Sequence, residues 1–297
     1  MSYSAPRAPA ESTTSHDLYG PERPIAPIVI SVPHAGRDYD PSLLEGARVA
    51  PDVLRRLEDR WADLLAHPLI ERGYPVLVAR APRAMIDLNR HEREIDPAMV
   101  TGLPRDLPLQ GSAKLRGGLG LIPRRLPGAY ELWQRPVGWD EVRRRIDFIH
   151  RPYHASLSRM MRAAREAHGH AVLIDLHSMP PLPPAAAGQA APQVVLGDRF
   201  GRAASTRLMT LAADVLTGHG LAVAQNHPYA GDHMIERHGN PAHDLYALQL
   251  EVDRSLYLDA ALDRPGPGLP RLQAIISSLI DALAAESPRA AYPLAAE

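Results

Sequence analysis

The sequence predicts one α/β domain built on a mixed, mostly parallel β-sheet with helices on both faces. Short, largely apolar runs such as AVLIDL (171–176) have strand length, which is typical of buried strands in a parallel sheet. Amphipathic segments of helical length separate these runs. The 297 residues, 45% of them hydrophobic, are enough for one large core. Alternating strands and helices of this kind form sheets that are covered on both faces.

The predicted strands are the short apolar runs that turn residues or polar residues bound. The run PIVISV ends at Pro33, and PVLVAR follows a predicted helix that stops at Gly73. The strands predicted in this way cover residues 26–32, 75–80, 171–176, 193–197, 221–226 and 245–252, with a shorter one at 84–88.

The predicted helices are the longer segments with apolar side chains at helical spacing. One begins at Pro51, because proline is favoured at the first position of a helix, and runs to residue 72. The clearest helical spacing is found at 139–168, and two more helices are predicted at 200–219 and 268–286.

Three segments lie outside this alternation. Residues 1–20 are predicted to be a flexible N-terminal arm and residues 288–297 a loose tail, which leaves a single domain at 21–287. Residues 91–137 are rich in proline and glycine and show little periodicity. Because loops of that length without regular secondary structure often have a function, we expect this segment to form a lid or a pocket wall.

Composition excludes several classes of function. A net charge of -1 gives no overall field that would favour nucleic acid or an anionic membrane as a partner. Charged residues interrupt every long apolar run, and the N-terminus lacks the pattern of a secretory signal, so we expect a soluble, cytoplasmic protein. The chain has no cysteine, so any metal must be bound by His, Asp or Glu.

Polar side chains cluster where the predicted strands end, which is where ligands bind in open α/β sheets. His34 follows the strand 26–32 in a turn with Pro33 and Gly36, although it could also be an ordinary loop residue. His177 directly follows a wholly apolar strand, where an imidazole without partners is unfavourable. Asp175 points to the same side of that strand and would fix the tautomer of His177. A buried Asp–His hydrogen bond without metal is the alternative.

Glu251 lies inside the apolar strand YALQLEV. Burial raises the pKa of a carboxyl group, and a raised pKa suits a general base that activates water. The alternative is an ion pair with Arg254 or another arginine.

The stretch RAMIDLNR (83–90) ends in a dense group of polar residues. Arginine binds carboxylates through two parallel hydrogen bonds, so this stretch is a candidate for binding an acidic substrate. A salt-bridge cluster on the surface is the alternative.

Several blocks, in order along the chain, together resemble N-formylglutamate amidohydrolases. The resemblance covers roughly residues 25–260 and rests on SVPHAGRDY, LEDRWADLL, PRAMIDLNR, RPYHASL, LIDLHSMP, ERHGNP and ALQLEVDRSLY. The family is distantly similar to zinc carboxypeptidases and to the aspartoacylase and succinylglutamate desuccinylase group. The resemblance therefore implies a zinc-exopeptidase-like (phosphorylase/hydrolase-like) fold.

The resemblance implies one Zn²⁺ ion per chain, bound by His34, His177 and one carboxylate. The relatives place that carboxylate three residues after the first histidine, where this chain has Arg37. Counting back from Gly73 by the length of the relatives' helix leads to Asp59, with Glu58 and Asp63 as neighbours that could serve instead.

The resemblance also implies roles for the other polar residues. Glu251 is expected to be the general base, and Arg83 is expected to stabilise the developing oxyanion. Substrate contacts are expected from Asn89, Arg90, Arg237 and His238, with Asp87 and Asp175 supporting the metal ligands.

The implied activity is hydrolysis of a small N-acyl amino acid such as N-formylglutamate, as in histidine degradation, and the implied partner is a small molecule with a carboxylate. Dedicated histidine-degradation enzymes are expected to carry DTDW and DAHS where this chain has EDRW and DLHS. A peptidase-like or other small-amide metallohydrolase therefore stays an alternative, as does a non-catalytic binding protein.

Overall fold

The computed structural model describes residues 9–13, 15–126, 131–184, 188 and 190–286. Within these residues the main sheet has eight strands in the order β1-β2-β4-β3-β7-β10-β8-β9, and β5 and β6 form a separate pair. The strands are β1 (Glu11–Ser12), β2 (His16–Tyr19), β3 (Ile28–Val32), β4 (Val76–Ala79), β5 (Val100–Thr101), β6 (Val137–Gly138), β7 (Ala171–Met179), β8 (Val194–Gly197), β9 (Val223–Gln225) and β10 (Leu245–Asp253).

The centre of the sheet is parallel and its outer parts are mixed. Strands β4, β3, β7 and β10 run parallel to one another. Strand β2 is antiparallel to β4, and β8 is antiparallel to β10. The predicted fold class, an α/β domain with a mixed, mostly parallel sheet, is confirmed.

Helices cover both faces of the sheet. Side chains on one face pack against α3, α7 and α9, and those on the other face pack against α6 and α8. The helices are α1 (Pro41–Glu45), α2 (Pro51–Arg55), α3 (Ala62–Glu71), α4 (Ala113–Arg116), α5 (Trp139–Arg145), α6 (Arg151–His168), α7 (Thr206–Gly218), α8 (His233–His238) and α9 (Leu269–Ala285). None of the helices in the described part of the chain has the length and hydropathy needed to cross a membrane.

The N-terminal segment is more ordered than predicted. Residues 11–12 and 16–19, assigned to a flexible arm, form β1 and β2 at one edge of the sheet. His16 and Tyr19 are buried there, which supplies the apolar contacts that hold the strand. The prediction of a flexible arm is therefore wrong for these residues. Residues 1–8 and the predicted tail at 288–297 lie outside the described part of the chain.

Two predicted helices are interrupted. The helix predicted at 51–72 is broken between α2 and α3, where Trp61 adopts a left-handed conformation with φ of 59°. The helix predicted at 139–168 contains a π-helical turn, Ile146–His150, between α5 and α6. Pro152 follows that turn and has no N–H to continue the α-helical hydrogen bonds, which accounts for the interruption.

The short strand predicted at 84–88 is absent, since these residues form turns. The backbone N–H of Asp87 donates to Leu121 O at 2.8 Å, so this stretch is bonded to the long segment 91–137 instead of to a strand. That segment packs its own apolar core against α1, α2 and α5. It contributes Lys114, Leu119 and Leu126 to the wall of the pocket that His34, His177 and Glu251 also line, as expected.

Gly36 sets how closely the loop after β3 approaches the next strand. A Cβ at this position would lie 2.1 Å from Ala81 O and 2.7 Å from Arg80 O, both backbone atoms. We expect Gly36→Ala to lower the free energy of unfolding by about 1–3 kcal/mol, because overpacking against backbone forces the loop to shift. Chemical denaturation measures the change.

Gly218→Ala is the matched control, because a Cβ there has nothing within 4 Å in a helical position. It should leave stability unchanged or raise it by about 0.5–1 kcal/mol. Equal losses for the two variants would contradict the close approach at Gly36.

Candidate active site

Strands β7 and β10 bring four polar side chains to one end of the sheet. In the parallel register Asp175 pairs with Gln249, and His177 pairs with Glu251. Because side chains alternate along a strand, all four lie on one face of the sheet. Earlier residues of both strands on that face are apolar and pack under α6. The side chains on this face therefore change from apolar to polar toward the carboxyl ends of the strands.

His34 lies beyond the end of β3, next to these residues. Its ring centroid is 4.7 Å from that of His177. The carbonyl oxygen of His34 accepts a hydrogen bond from the backbone N–H of Asp59 at 3.0 Å. This bond joins the segment between α2 and α3 to the loop after β3.

Asp59 lies between the two imidazoles. Its Oδ2 is 2.9 Å from His177 Nδ1 and 3.5 Å from His34 Nδ1. One ligand atom from each of His34, Asp59 and His177 falls within 4.8 Å of the others, and all three residues are buried. The neighbouring acids point elsewhere, since Glu58 accepts from Tyr39 and Arg60 and Asp63 pairs with Arg37.

The hydrogen bonds of the two histidines fix their tautomers. His34 Nε2 donates to Asp87 Oδ1 at 2.8 Å, and His177 Nε2 donates to Asp175 Oδ2 at 2.8 Å. In the neutral form each imidazole would therefore offer the lone pair of Nδ1 to an ion beside Asp59, and His34 Nδ1 has no hydrogen-bond partner among the described residues. This arrangement of carboxylate, imidazole and a shared centre fits a divalent metal ion.

The charges around Asp59 favour its ionised form. Burial alone would raise the pKa of Asp59, but the hydrogen bond from His177 and the nearby imidazole of His34 hold the pKa well below its usual range. Burial alone would lower the pKa of His177, but Asp175 and Asp59 raise it well above its usual range. In the protein without metal, a proton on His177 thus balances the carboxylates that a cation would otherwise balance.

Glu251 is half-buried at the edge of this group. Its Oε1 accepts from Gln249 Nε2 at 3.0 Å. Burial raises the pKa of Glu251, and the charge of His177 partly opposes that shift. The alternative of an ion pair with Arg254 is wrong, because Arg254 Nη2 donates to Asp59 Oδ1 at 3.1 Å and its Nε donates to Ser178.

Asp87 links Arg83 to the metal ligands. Arg83 Nε donates to Asp87 Oδ2 at 2.8 Å, while the other oxygen of Asp87 accepts from His34. Burial would raise the pKa of Asp87, but Arg83, His34 and Arg90 hold it well below its usual range. The guanidinium of Arg83 lines the pocket beside Glu251.

Asn89 and Arg90 also line the pocket, but most of their polar groups bind protein atoms. Asn89 Oδ1 accepts from Met234 N at 2.7 Å, and its Nδ2 donates to Gln249 at 3.3 Å. Arg90 is 2% exposed, and its Nε and Nη1 donate to the carbonyl oxygens of Leu119 and Asn89. These contacts leave both residues with little capacity to bind a carboxylate.

Arg237 and His238 do not belong to this pocket, so their expected role in binding substrate here is wrong. Both lie at the end of α8, which packs against β7 and β10, and neither lines the pocket that contains Glu251. Buried His238 bonds His154, and Arg237 lines a different cavity. The resemblance of the surrounding sequence to the family did not indicate which cavity the side chains of this helix would line.

Four residues of the site were not among the predicted site residues. Gln249 precedes Glu251 by two positions, so the alternation of side chains along a strand could have identified it. Arg254 follows the same strand and was considered only as a partner for Glu251. Lys114 comes from the short helix α4 and Tyr229 from a loop, and their sequence surroundings carry no comparable signal.

The pocket in front of these residues has a volume of about 760 Å³, and seven basic and five acidic side chains line it. Lys114 lies 5.4 Å from the centre of the Tyr229 ring and forms no ion pair with any residue in the described ranges. The pocket can therefore hold a small anionic molecule beside Glu251 and the three candidate metal ligands. Its basic lining consists of Arg55, Arg56, Arg60, Arg83, Arg90, Lys114 and Arg254.

Comparisons of the sequence identify related proteins. A family model described as N-formylglutamate amidohydrolase matches residues 26–258. N-formylglutamate deformylase from Pseudomonas putida is 30% identical over 246 residues, which cover 78% of this chain and 82% of that protein. N-formylglutamate deformylase from Pseudomonas aeruginosa is 26% identical over 243 residues, with the same 78% and 82% coverage.

Comparisons of the structure agree with those of the sequence. The crystal structure of N-formylglutamate amidohydrolase from Ralstonia eutropha JMP134 superposes with a TM-score of 0.82 at 34% identity, covering 91% of this chain and 97% of that chain. A gene product from Agrobacterium tumefaciens superposes with a TM-score of 0.62 at 16% identity, covering 91% and 93% of the two chains. The second likeness shows a shared fold alone.

Proposed function

Because the chain belongs to the N-formylglutamate amidohydrolase family, we propose that it hydrolyses the amide bond of N-formylglutamate or a closely related small N-acyl amino acid. The observation that carries the proposal is the position of Glu251 beside His34, Asp59 and His177 at one pocket. Water would add to the acyl carbon and the C–N bond would break, which releases formate and the free amino acid.

The ion is assigned to His34, Asp59 and His177, and the chemistry of these donors favours Zn²⁺, one per chain at this site. Two neutral imidazoles and a carboxylate are the ligand set of many catalytic zinc sites. When bound, the ion would supply Lewis-acid activation of both the water and the acyl carbonyl group. Asp87 and Asp175 would hold the two imidazoles in the ligating tautomer through the hydrogen bonds described above.

Glu251 is assigned as the general base. Its carboxylate would accept a proton from the attacking water and donate it to the nitrogen of the leaving amine. Gln249 positions that carboxylate through its hydrogen bond to Oε1. Arg83 is placed to stabilise the negative charge that develops on the carbonyl oxygen, because only its Nε is engaged by Asp87.

Lys114 is the residue that we assign to a substrate carboxylate in place of Arg90. We expect Lys114→Gln to lower kcat/KM for N-formylglutamate about tenfold, equivalent to about 1.4 kcal/mol. N-formylglutamine lacks the side-chain carboxylate and should be affected far less. Initial rates on the two substrates, measured with zinc-loaded protein and formate release, provide the comparison.

Arg90→Ala is the matched comparison for the selectivity of Lys114. Since Arg90 bonds backbone carbonyls of the pocket wall, its loss should reduce kcat/KM for the acid and the amide substrate by similar factors. A loss specific to the acid in Arg90→Ala, with none in Lys114→Gln, would return the carboxylate site to Arg90.

A screen of N-acyl amino acids that reads released carboxylate tests the proposed function as a whole. The expected result is preferential hydrolysis of N-acyl derivatives of acidic amino acids. Cleavage of small peptides in preference to every N-acyl amino acid would support the peptidase-like alternative. Absence of turnover with tight substrate binding would support a binding protein.

A further inference from the structure

Five histidines pack together outside the active-site pocket. We call His91, His150, His154, His233 and His238 the histidine cluster. Neighbouring rings in the cluster lie between 4.4 Å and 6.0 Å apart, centroid to centroid. The proposed mechanism uses none of these residues, and none of them lines the pocket that contains Glu251.

The local structure directs three of these side chains to one point. His150 and His154 are four residues apart at the junction of the π-helical turn and α6, so they share one helical face. His233 is the first residue of α8 and approaches from the other side. One ligand nitrogen from each of the three lies within 4.8 Å of the others.

Backbone carbonyl oxygens occupy Nε2 of His150 and of His154, so Nδ1 is the nitrogen that each ring can offer to an ion. His150 Nε2 donates to Arg90 O at 2.8 Å, and His154 Nε2 donates to Leu88 O at 2.9 Å. The Nδ1 of His150 is buried and has no hydrogen-bond partner in the described part of the chain. The Nδ1 of His154 accepts from His238 Nε2 at 2.9 Å.

His233 is buried without any hydrogen bond from the described residues to either ring nitrogen. It is 8% exposed, and His150 is fully buried. Buried polar atoms are nearly always satisfied in folded proteins, so the unsatisfied Nδ1 of His150 beside a His233 ring without any hydrogen bond from the described residues indicates a missing ligand.

The charge state of the cluster suits a cation. Burial lowers the pKa of His150 to about 4, that of His233 to about 2 and that of His238 to about 3, and the charge of Arg237 adds to each shift. At neutral pH the imidazoles are therefore uncharged, which is the form that binds metal ions.

We propose that His150, His154 and His233 form a second metal site, for a divalent transition-metal ion of the Zn²⁺ class, with Nδ1 of His150 and His154 as ligands. Imidazole ligands without thiolate or carboxylate suit Zn²⁺ and its first-row neighbours. Zinc–nitrogen bonds of about 2.0–2.1 Å require the three nitrogens to draw together, and the His233 ring can rotate for this without losing a hydrogen bond. The ion would replace the hydrogen bond that His238 donates to His154.

A path from solvent reaches this site. A cavity of about 420 Å³ opens onto His233 and is lined by His91, Gln110, Glu236 and Arg237 as well. It gives the ion an entry and leaves space for a water molecule as a fourth ligand. Since His150 and His154 also bind Arg90 O and Leu88 O, the ion would brace the stretch that carries Asp87 and Asn89.

Metal stoichiometry of the full chain tests the proposal. Chelator-stripped protein is titrated with Zn²⁺ against a chromogenic chelator, and bound metal is counted after gel filtration. We expect about two tight equivalents for the wild type and about one for His233→Ala, since tight metal sites bind stoichiometrically. His219→Ala, which removes an exposed histidine outside the cluster, should keep the wild-type number.

His177→Ala separates the new site from the active site. This variant should lose the active-site ion and keep the equivalent at the cluster, and adding His233→Ala should remove that equivalent as well. A titration with Co²⁺ should give a ligand-field absorption spectrum from the cluster in His177→Ala. Equal metal content in the wild type and His233→Ala, or no bound metal in His177→Ala, would overturn the proposal.

Discussion

Glu251→Gln is expected to lower kcat by about 10²–10⁴-fold while metal content and KM stay near the wild-type values. General acid–base catalysis contributes a factor of this size, and glutamine has the shape of glutamate without its ability to accept a proton. The hydrogen bond from Gln249 can be kept, because the amide oxygen of the new side chain can accept it. Steady-state kinetics of formate release and metal analysis of the same samples measure the effect.

The separate effects on kcat and KM distinguish a catalytic role of Glu251 from a role in substrate binding. A group that acts only in the transition state lowers kcat and kcat/KM together, whereas loss of ground-state binding raises KM. Glu166→Gln, on the exposed face of α6, should leave both constants unchanged. If Glu251→Gln raised KM at constant kcat, Glu251 would be a binding residue and the general base would have to be sought elsewhere.

The strand-end residues were predictable from sequence because buried strands have a strict period. AVLIDL and YALQLEV are apolar enough to be central strands, and a period of two places Asp175 beside His177. The parallel pairing of these two strands then brings His177 to Glu251. Burying a polar side chain without a partner is unfavourable, so a polar residue inside such an apolar run indicates a specific contact or a functional role.

Asp59 was identified for a reason that the structure only partly supports. The expected helix from 51 to 72 would have placed Asp59 in its interior, yet the chain breaks there and Trp61 takes a left-handed conformation. Backbone propensity gives no warning of that break, because tryptophan rarely adopts positive φ. Contacts from Arg60 and Trp61 to Asp263, more than 200 residues away, hold this turn.

The roles of arginine were the least predictable part of the site. Arg83 and Arg90 belong to the same stretch and both line the pocket, but Arg90 is buried with two of its nitrogens bonded to backbone carbonyls. That difference depends on Leu119, which comes from the long segment 91–137 that shows no regular pattern. Sequence can propose that a guanidinium binds an anion, whereas the availability of its donors depends on tertiary contacts.

Removal of His34 or His177 should abolish both turnover and the active-site ion. The experiment is best done with His34→Ala, His177→Ala and the double variant in a His233→Ala background, so that metal at the histidine cluster does not contribute. Each imidazole offers its Nδ1 beside Asp59, and losing one leaves a ligand set too small for tight binding.

Stability provides a second, independent measure of the active-site ion. Zn²⁺ at about 100 times its Kd should stabilise the His233→Ala parent by about 2.7 kcal/mol and raise its Tm, because the ion binds only the folded state. The His34 and His177 variants should show no such increase. The Tm of these variants without metal should itself fall, because Asp87 or Asp175 is left buried without its imidazole. Metal content is therefore measured well below that temperature.

Asp175→Asn should weaken metal binding by about 10–100-fold without abolishing it, as expected for a residue that orients a ligand. Stoichiometric zinc retained by the His34→Ala, His177→Ala double variant would show that the ion is bound elsewhere and that Asp59 and the two histidines are a hydrogen-bonded core.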